Sequence, residues 1–406
     1  MRRYVKLFAI ITITFGCQAV EEPKSDFAIY HKFESFADFK STLKSIVTIA
    51  DITKREESLD VFWDSLKANN QIPFVFNDSV IFLYRGEESS VSWAGDFSGW
   101  RPLNGIQLEE SNVWMLEKVY PVDARLDYKV VVGDNWILDP DNNNVQYSGF
   151  GPNSELRMPE WIYPEETILA AGVNRGDLSD NIKIVASEVT LSYNLQYKVY
   201  TPFGYDQLAN LPVMYVADGH EYADDRLGSM LIVLDNLIHD QVIKPIIVVF
   251  IDPRNPDNLG ENRRADQYTG NRKFADFVAD ELVPTIDANY KTSNNANDRA
   301  ILGTSYGGWN AGYFGVTRSD RFHLIGIHSP AFDANVINDY KNSEQLPLKI
   351  FMSTGVIYDT QDKARAMKLV LDEKEYPLNY IEVNEGHSWG NWRALIKEPL
   401  VYFFGV

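Results

Sequence analysis

The chain has 406 residues, of which 45% are hydrophobic and 23% are charged, and this composition is typical of soluble globular proteins. Its length exceeds what one ordinary hydrophobic core organises, so we predict two domains. The formal net charge of −19 would repel phosphate groups, which argues against nucleic acid as a partner and leaves neutral sugars and esters open.

Residues 1–17 have the pattern of an export signal. Three basic residues precede a short apolar stretch, residues 7–15, which is too short for a comfortable membrane span. Cys17, the single cysteine, follows at once and resembles the lipid-modified cysteine of bacterial lipoproteins, although Thr14 stands where that family prefers leucine. The resemblance implies a bacterial export product, periplasmic or anchored in the outer membrane, that touches the membrane only through a lipid on Cys17. The alternative is an ordinary cleaved signal with an incidental cysteine.

A helical segment is predicted over residues 27–70, after a polar tether at residues 18–26. Apolar side chains recur at helical spacing between residues 36 and 68. This pattern predicts two amphipathic helices, with the sequence KREE (residues 54–57) between them.

Short alternating segments begin near residue 72 and are separated by Gly, Asn, Asp and Pro. Four of them have the spacing of antiparallel strands: VIFLYRG, SVSWAGDF, NVWMLEKVYPV and DYKVVVGDNWILD. We therefore predict an all-β sandwich over residues 71–160.

Three motifs of this region occur in an order typical of a known module: GDFSGW (95–100), DYKVVVGDNWILDP (127–140) and GPNSELRMP (151–159). They resemble the glycogen-binding modules and the immunoglobulin-like N-terminal domains of isoamylase-type enzymes. The resemblance implies a sugar platform made of Trp100, Lys129, Trp136 and Asn153. Indole faces would stack on a pyranose while the polar groups bond its hydroxyls. The alternative is a structural module that keeps its tryptophans for packing.

A linker rich in turn formers is predicted at residues 161–181, and the C-terminal domain covers residues 182–406. In that domain apolar strands alternate with helical stretches. Continuous Val and Ile runs indicate strands buried on both faces, and hence a mostly parallel sheet covered by helices. In such folds the site lies at the carboxyl ends of the strands.

The sequence GTSYG (residues 303–307) lies between a predicted strand, 299–304, and a predicted helix. A serine between glycines at this place is the pattern of a nucleophile elbow, in which a tight turn lifts Ser305 above the edge of the sheet. Gly303 and Gly307 stand where a side chain would collide with the neighbouring strand or helix. By itself the pattern also fits a glycine-rich turn without a catalytic role.

A serine nucleophile needs a base, and the base needs a carboxylate to orient it. Of the six histidines, only His387 follows a predicted C-terminal strand and precedes a final helix. In α/β-hydrolases, whose nucleophile elbow GTSYG resembles, the serine, the acid and the histidine follow one another in that chain order. This resemblance implies an acid between Ser305 and His387, where Asp359 follows a predicted strand. Asp362 is the second candidate, because it falls within the next predicted helix.

Five motifs between residues 182 and 406 resemble the esterase D and enterochelin esterase-like family of α/β-hydrolases. In chain order they are ADGHEY (217–222), ENRRADQY (261–268), GTSYGG (303–308), STG-x-x-x-D (353–359) and EGHSWGNWR (385–393). The resemblance implies an α/β-hydrolase fold in which Ser305 attacks an ester carbonyl, His387 acts as base and then as acid, and Asp359 orients His387. Members often place the acid where Tyr358 stands, so Asp359 comes one residue late.

The same resemblance implies an oxyanion hole formed by the backbone N–H groups of Tyr306 and His220. The His220 ring would then line the pocket. For Arg264 it implies a contact to an acidic or polar part of the substrate, and a structural ion pair is the equal alternative. No zinc-protease spacing, P-loop or dinucleotide fingerprint occurs in the sequence, so neither a metal nor a cofactor is expected.

Together these patterns predict an exported serine carboxylic-ester hydrolase acting on small-molecule or glycan-linked esters of feruloyl or acetyl type, with polysaccharide as a partner. Enterochelin-type siderophore esters are the alternative substrates of the same chemistry. A third possibility is acyl transfer by the same triad, as in the related mycobacterial mycolyltransferases. The catalytic residues would be the same, and a sugar would accept the acyl group in place of water. The alternative from a different class is a non-catalytic surface lipoprotein that binds glycans.

Overall fold

The computed structural model describes residues 33–406. The predicted export signal and Cys17 lie outside the described residues. Contacts divide the described chain into two compact units, one ending at Asn69 and the other spanning Asn70–Val406. Between residues 33 and 406, no helix is long and apolar enough to cross a membrane.

The first unit contains two helices, α1 (Phe36–Val47) and α2 (Ile52–Ala68). Their buried faces carry the apolar residues whose spacing predicted them. The predicted position of the break at residues 54–57 is wrong. The Asp51 side chain accepts a hydrogen bond from the Lys54 N–H at 3.1 Å and caps the start of α2, so these polar residues belong to its first turns.

The second unit begins with ten strands in two antiparallel sheets. They are β1 (Phe74–Phe76), β2 (Ser79–Arg85), β3 (Val91–Gly95), β4 (Leu103–Asn104), β5 (Ile106–Gln107), β6 (Val113–Val119), β7 (Arg125–Val132), β8 (Asn135–Ile137), β9 (Val145–Ser148) and β10 (Gly151–Arg157). One sheet has the order β1-β2-β6-β5 and the other β4-β3-β7-β10-β9, with β8 on β7. A shared apolar core joins the two sheets, and we call this part the sandwich.

Phe82 is fully buried in the sandwich core. Its ring centroid lies 4.9 Å from that of Tyr128 and 6.4 Å from that of Trp93. Because side chains alternate along a strand, the even-numbered residues of β7, including Tyr128, point into this core. The odd-numbered residues of β7 point to the opposite face. That face carries charged residues, among them Arg125 and Asp127.

The remaining strands are β11 (Asp177–Leu178), β12 (Ile182–Val185), β13 (Asn194–Thr201), β14 (Val213–Val216), β15 (Ile247–Asp252), β16 (Arg254–Asn255), β17 (Asn258–Asn262), β18 (Arg299–Thr304), β19 (Leu324–His328), β20 (Lys349–Gly355) and β21 (Leu378–Val383). The main sheet has the order β11-β13-β15-β14-β18-β19-β20-β21, with β12 on β13. From β15 to β21 its neighbours are parallel, and β13 joins β15 in antiparallel sense. This confirms the predicted mostly parallel sheet.

Helices cover both faces of the main sheet, and each face has its own apolar core. They are α3 (Gly219–Tyr222), α4 (Met230–His239), α5 (Arg264–Tyr268), α6 (Arg272–Phe277), α7 (Val283–Asn289), α8 (Tyr306–Thr317), α9 (Ala334–Asn342), α10 (Gln361–Glu373), α11 (Trp389–Ala394) and α12 (Lys397–Phe404). A π-helical stretch, Val278–Leu282, joins α6 to α7. Helix α9 was not predicted, and the Asp333 side chain caps its first turn.

The predicted linker, residues 161–181, lies against α4. The Asn236 side chain accepts a hydrogen bond from the Ala170 N–H at 3.0 Å and donates to the carbonyls of Glu166 and Ile168 at 2.9 and 2.8 Å. Strand β11 at its end pairs with β13. The segment is therefore held to the C-terminal part of the chain by specific hydrogen bonds.

Phe82→Ala should destabilise the second unit by about 3–5 kcal/mol, because it empties a fully buried aromatic site in the sandwich. Chemical denaturation followed by tryptophan fluorescence measures the change. Val119→Ala is the matched control, since Val119 is 64% exposed on β6 and should shift stability by less than about 0.5 kcal/mol. Equal effects of the two substitutions would contradict this account of the core.

Candidate active site

Ser305 lies on the turn between β18 and α8, with φ 58° and ψ −116°. A Cβ on Gly303 would overlap the Gly307 backbone, and one on Gly308 would lie 2.7 Å from the His328 carbonyl oxygen. A Cβ on Gly307 would meet Ala217 at 3.2 Å, which is tight without overlap. Glycine at these places lets the helix start close to the sheet, as the elbow pattern predicted.

Three side chains from different loops form a hydrogen-bonded chain at the carboxyl edge of the main sheet. His387 Nε2 lies 2.9 Å from Ser305 Oγ, and His387 Nδ1 lies 2.6 Å from Asp359 Oδ1. Asp362 lies in the first turn of α10, and Asp359 is the carboxylate that reaches the imidazole. Tyr358, with φ 52°, makes the left-handed turn that brings Asp359 into place one residue late.

Asp359 is fixed by donors on all sides. Its Oδ2 accepts from Ser329 Oγ at 2.6 Å, from the Gly355 N–H at 2.6 Å and from Asn391 Nδ2 at 3.3 Å. Burial raises the pKa of Asp359, but the hydrogen bonds from His387, Ser329 and Gly355 together with the His387 charge lower it more, so the net pKa is below its ordinary value. The carboxyl group is therefore ionised at neutral pH.

Ser329 and Asn391 were not singled out from the sequence. Ser329 directly follows β19, and its place at the carboxyl end of a parallel strand is the signal that could have marked it. Its hydroxyl accepts a hydrogen bond from Trp392 Nε1 at 2.9 Å. The Trp392 ring stands edge-on to the His387 ring, with centroids 5.0 Å apart.

The backbone N–H groups of Tyr306 and His220 belong to the first turns of α8 and α3. N–H groups in a first turn have no acceptor within their helix and can serve an incoming anion. The expectation that the His220 ring lines the pocket is not met. The ring borders a separate cavity of about 240 Å³, where its Nδ1 lies 3.5 Å from Asp252 Oδ1. Burial lowers the pKa of His220.

Arg264 makes the structural ion pair that was one of its two predicted roles. Its Nε lies 2.8 and 2.9 Å from the Asp218 carboxylate oxygens, and its Nη2 donates to the Thr304 carbonyl at 3.1 Å. These bonds tie the loop before α3 to the strand that carries Ser305. The same side chain also lines the cleft at Ser305.

Ser305 and His387 open into a cleft of about 570 Å³ between the sandwich and the main sheet. The sandwich contributes Trp100, Asp127, Lys129, Trp136, Ser148, Gly149, Phe150 and Asn153, and the C-terminal part adds Glu221, Asn262, Arg264, Ser388, Trp389 and Trp392. All four residues of the predicted sugar platform thus line the cleft that contains Ser305. The rings of Trp100 and Trp136 are nearly parallel, at 22°, with centroids 6.5 Å apart.

Glu221 is an acidic cleft residue that the sequence did not single out. Its carboxylate accepts a hydrogen bond from Trp389 Nε1 at 2.9 Å. Burial, followed by the nearby Asp218 charge, raises the pKa of Glu221 to about 7. Within residues 33–406, no group of three or more His, Cys, Asp or Glu side chains is arranged to hold a metal ion.

The family model described as "Putative esterase" matches residues 189–403, more than half of the chain. The chain belongs to this Esterase family. It is thus a carboxylic ester hydrolase with a fold of the α/β-hydrolase type.

Two curated relatives and one solved structure are similar to this esterase. It is 32% identical over 239 residues to an endo-1,4-beta-xylanase/feruloyl esterase from Xylanibacter ruminicola, covering 55% of this chain and 31% of that protein. It is 24% identical over 204 residues to the iron(III) enterobactin esterase of Escherichia coli, covering 47% of this chain and 49% of the relative. The chain therefore spans half or less of the length of these relatives.

The crystal structure of the enterobactin esterase from Shigella flexneri superposes with a TM-score of 0.65 at 20% identity, covering 80% of this chain and 92% of that one. At this identity the likeness concerns the fold. It covers more of the chain than the family match does.

Glu221→Gln should change how the stability of the esterase depends on pH. The carboxyl has an ordinary pKa of 4.5 and a pKa of about 7 in the folded protein, so between these values the folded state binds more protons than the unfolded state. Its contribution to stability is therefore complete below pH 4.5 and is lost as the pH rises through 7. Glutamine cannot lose a proton, so the variant should gain roughly 1–3 kcal/mol relative to the parent between about pH 5 and 8.

Thermal unfolding of both proteins across this pH range measures the difference. Glu188→Gln, at an exposed carboxyl outside the cleft, is the control and should follow the parent at every pH. If the stability difference between Glu221→Gln and the parent were the same at the low and the high end of this pH range, the raised pKa would be contradicted.

Proposed function

We propose that this esterase uses Ser305, His387 and Asp359 as a catalytic triad on carbohydrate-linked esters of feruloyl or acetyl type. The hydrogen-bonded chain of these three side chains supports the catalytic part of the proposal. The observation that carries the substrate class is the common cleft, because the residues with the pattern of a sugar platform line the same space as Ser305.

In the first half of the proposed reaction, Ser305 Oγ attacks the ester carbonyl while its proton passes to His387 Nε2. The ionised Asp359 holds the proton on Nδ1 and stabilises the imidazolium that forms. The N–H groups of Tyr306 and His220 receive the oxyanion of the tetrahedral intermediate. Collapse of the intermediate breaks the bond to the alcohol, which leaves with the proton from His387.

In the second half, water attacks the acyl-serine and gives its proton to His387. The second tetrahedral intermediate collapses to the free acid and returns the proton to Ser305 Oγ, so the enzyme is restored. The alcohol part of a glycan-linked ester is a sugar. Indole rings and polar groups in the cleft match the apolar face and the hydroxyls of such a leaving group.

Siderophore esters are the second candidate substrates. The similarity to enterobactin esterases in sequence and in fold supports them. The charge in the cleft favours sugar esters, because Arg264 is already paired with Asp218 and the Lys129 cation shares the cleft with the Asp127 carboxylate. A ferric catecholate complex is anionic, and an excess of cationic groups would serve it better.

A panel of acetyl-xylan, feruloylated arabinoxylan oligosaccharide and cyclic catechol-siderophore esters tests the substrate class. Faster turnover of the sugar esters, measured as kcat/KM, would support the proposal. Faster turnover of the siderophore ester would assign the second candidate. Binding to xylan in an affinity gel without turnover of any ester would favour the non-catalytic interpretation.

Ser305→Ala should lower kcat by on the order of 10⁵-fold or more, because the nucleophile and its base act as one unit. Asp359→Asn should lower it by on the order of 10³–10⁴-fold, since the amide no longer fixes the imidazole tautomer. Hydrolysis of p-nitrophenyl acetate measures both. Asp362→Asn is the matched control and should keep the parental rate; a larger loss there than in Asp359→Asn would overturn the choice of acid.

Trp100→Ala and Trp136→Ala should each raise KM for a feruloylated oligosaccharide roughly 2–10-fold, the equivalent of about 0.5–1.5 kcal/mol of stacking. Methyl ferulate has no sugar, so its KM should stay within about twofold. Phe203→Ala removes an aromatic ring that is 61% exposed outside the cleft and serves as the control. Equal effects on both substrates would argue that the tryptophans only pack the sandwich.

A further inference from the structure

The loop that carries His387, residues 384–388, contacts the sandwich as well as the main sheet. It follows β21, the edge strand of that sheet, so only one neighbouring strand supports it there. On the sandwich side, the Arg125 N–H donates to the Asn384 carbonyl at 3.3 Å, and Arg125 forms a parallel β-bridge with Glu385. The Asn384 side chain donates to Asp123 at 2.7 Å.

The Arg125 side chain is fully buried under this loop. Its Nη1 donates to Ser388 Oγ at 3.1 Å and lies 3.7 Å from the Glu385 carboxylate. The other nitrogens of its guanidinium bond to Asp127 and Glu155 of the sandwich. One cation thus joins carboxylates of the sandwich to the two residues that flank the Gly386–His387 pair.

Two glycines allow close packing at this loop and at the start of α11. A Cβ on Gly390 would overlap the Arg125 guanidinium, and a Cβ on Gly386 would overlap the Asp96 carboxyl. Asp96 in turn accepts a hydrogen bond from the Asp127 N–H at 2.8 Å. Gly386 therefore lets the loop touch the buried Asp96 carboxyl, and Gly390 lets the start of α11 touch the buried Arg125 side chain of β7.

The loop that carries Asp359 uses the same support. Ile357 packs against the core of the sandwich, and its N–H donates to the Glu385 carbonyl at 3.1 Å. The Tyr358 ring covers Gly99 in the turn that precedes Trp100. The loops of the proposed base, His387, and the proposed acid, Asp359, are therefore both supported by the sandwich. Ser305 lies opposite them, at the end of strand β18 of the main sheet.

We propose that Arg125 is a positioning residue of the sandwich, which holds the His387 loop in register with Ser305 and makes the N-terminal sandwich a working part of the catalytic site. The proposal rests on the proposed triad. Arg125 does not line the cleft, so it acts on His387 through Ser388 and Glu385 and not through the substrate. Its loss should lower kcat and leave KM nearly unchanged, because a shift of about 1 Å in a reacting group can cost about 10²-fold in rate.

Arg125→Met tests the proposal in the full chain with p-nitrophenyl acetate. We expect a fall in kcat of roughly 10–100-fold with KM within about twofold. Labelling of Ser305 by a fluorophosphonate, which needs the same base, should slow in proportion. Both measurements would be insensitive to a purely structural role, provided that they are made on the folded fraction well below its unfolding temperature.

Arg318→Met is the matched control for the loss of a buried arginine. Arg318 is 5% exposed and pairs with Asp276, Asp280 and Asp320, and it follows α8 at the end opposite Ser305. This variant should lose thermal stability, although less than Arg125→Met because its carboxylate partners are partly exposed, and it should keep the parental kcat. If Arg125→Met does not fold, Ser388→Ala removes the hydrogen bond that Arg125 Nη1 donates to this loop and should lower kcat about 3–10-fold. Because Ser388 also lines the cleft, kcat and not KM is the criterion for this variant.

Parental kcat in both Arg125→Met and Ser388→Ala would overturn the proposal, and so would a rise in KM at constant kcat in Arg125→Met. Equal loss of kcat in Arg318→Met would reduce the effect to general destabilisation and would overturn it as well. Failure of the triad itself is seen separately, as turnover that survives Ser305→Ala. That result would contradict the proposed function itself, whatever the Arg125 variants show.

Discussion

The backbone of Ser305 is the constraint on which the rest of the site depends. A non-glycine residue with φ 58° and ψ −116° lies outside the common regions and costs on the order of 1–3 kcal/mol. Three backbone hydrogen bonds hold it there: its N–H donates to His328 at 3.0 Å, and its carbonyl accepts from Trp309 at 3.0 Å and Ala331 at 3.1 Å. The pairing of β18 with β19 and the start of α8 therefore hold the Ser305 backbone without help from the loops that carry His387 and Asp359.

The partners of Ser305 are held differently, because they lie on loops that follow strands β20 and β21 at one side of the sheet. A loop has few backbone hydrogen bonds of its own and needs an external support to keep a side chain in place. The sandwich provides this support through a buried ionic group around Arg125 and an apolar contact at Ile357. Buried ion pairs add little net stability, but they disfavour alternative positions of the groups that they join.

The same contact between the sandwich and the main sheet creates the cleft. Neither part encloses it alone, because the aromatic platform stands on the sandwich and Ser305 stands on the sheet. Binding energy from a part of the substrate that does not react can then be used to align the ester with the serine. This arrangement explains why the described chain from Asn70 onward forms one compact unit, although its sequence has the patterns of two domains.

The chain order of serine, acid and histidine came from the resemblance to α/β-hydrolases, whereas local patterns in the sequence predicted most strands of the mostly parallel sheet and the turn at Ser305. These features depend on residues close together in the chain, where periodicity and glycine spacing report them directly. Only the tertiary structure decided that the tryptophans of the sandwich line the cleft at Ser305, and it showed that Asp359, the acid that the sequence favoured over Asp362, reaches His387. It also decided the contact of Arg125 with Ser388, which are 263 positions apart. Contacts at such separations leave no periodic trace in the sequence, because packing between elements determines them.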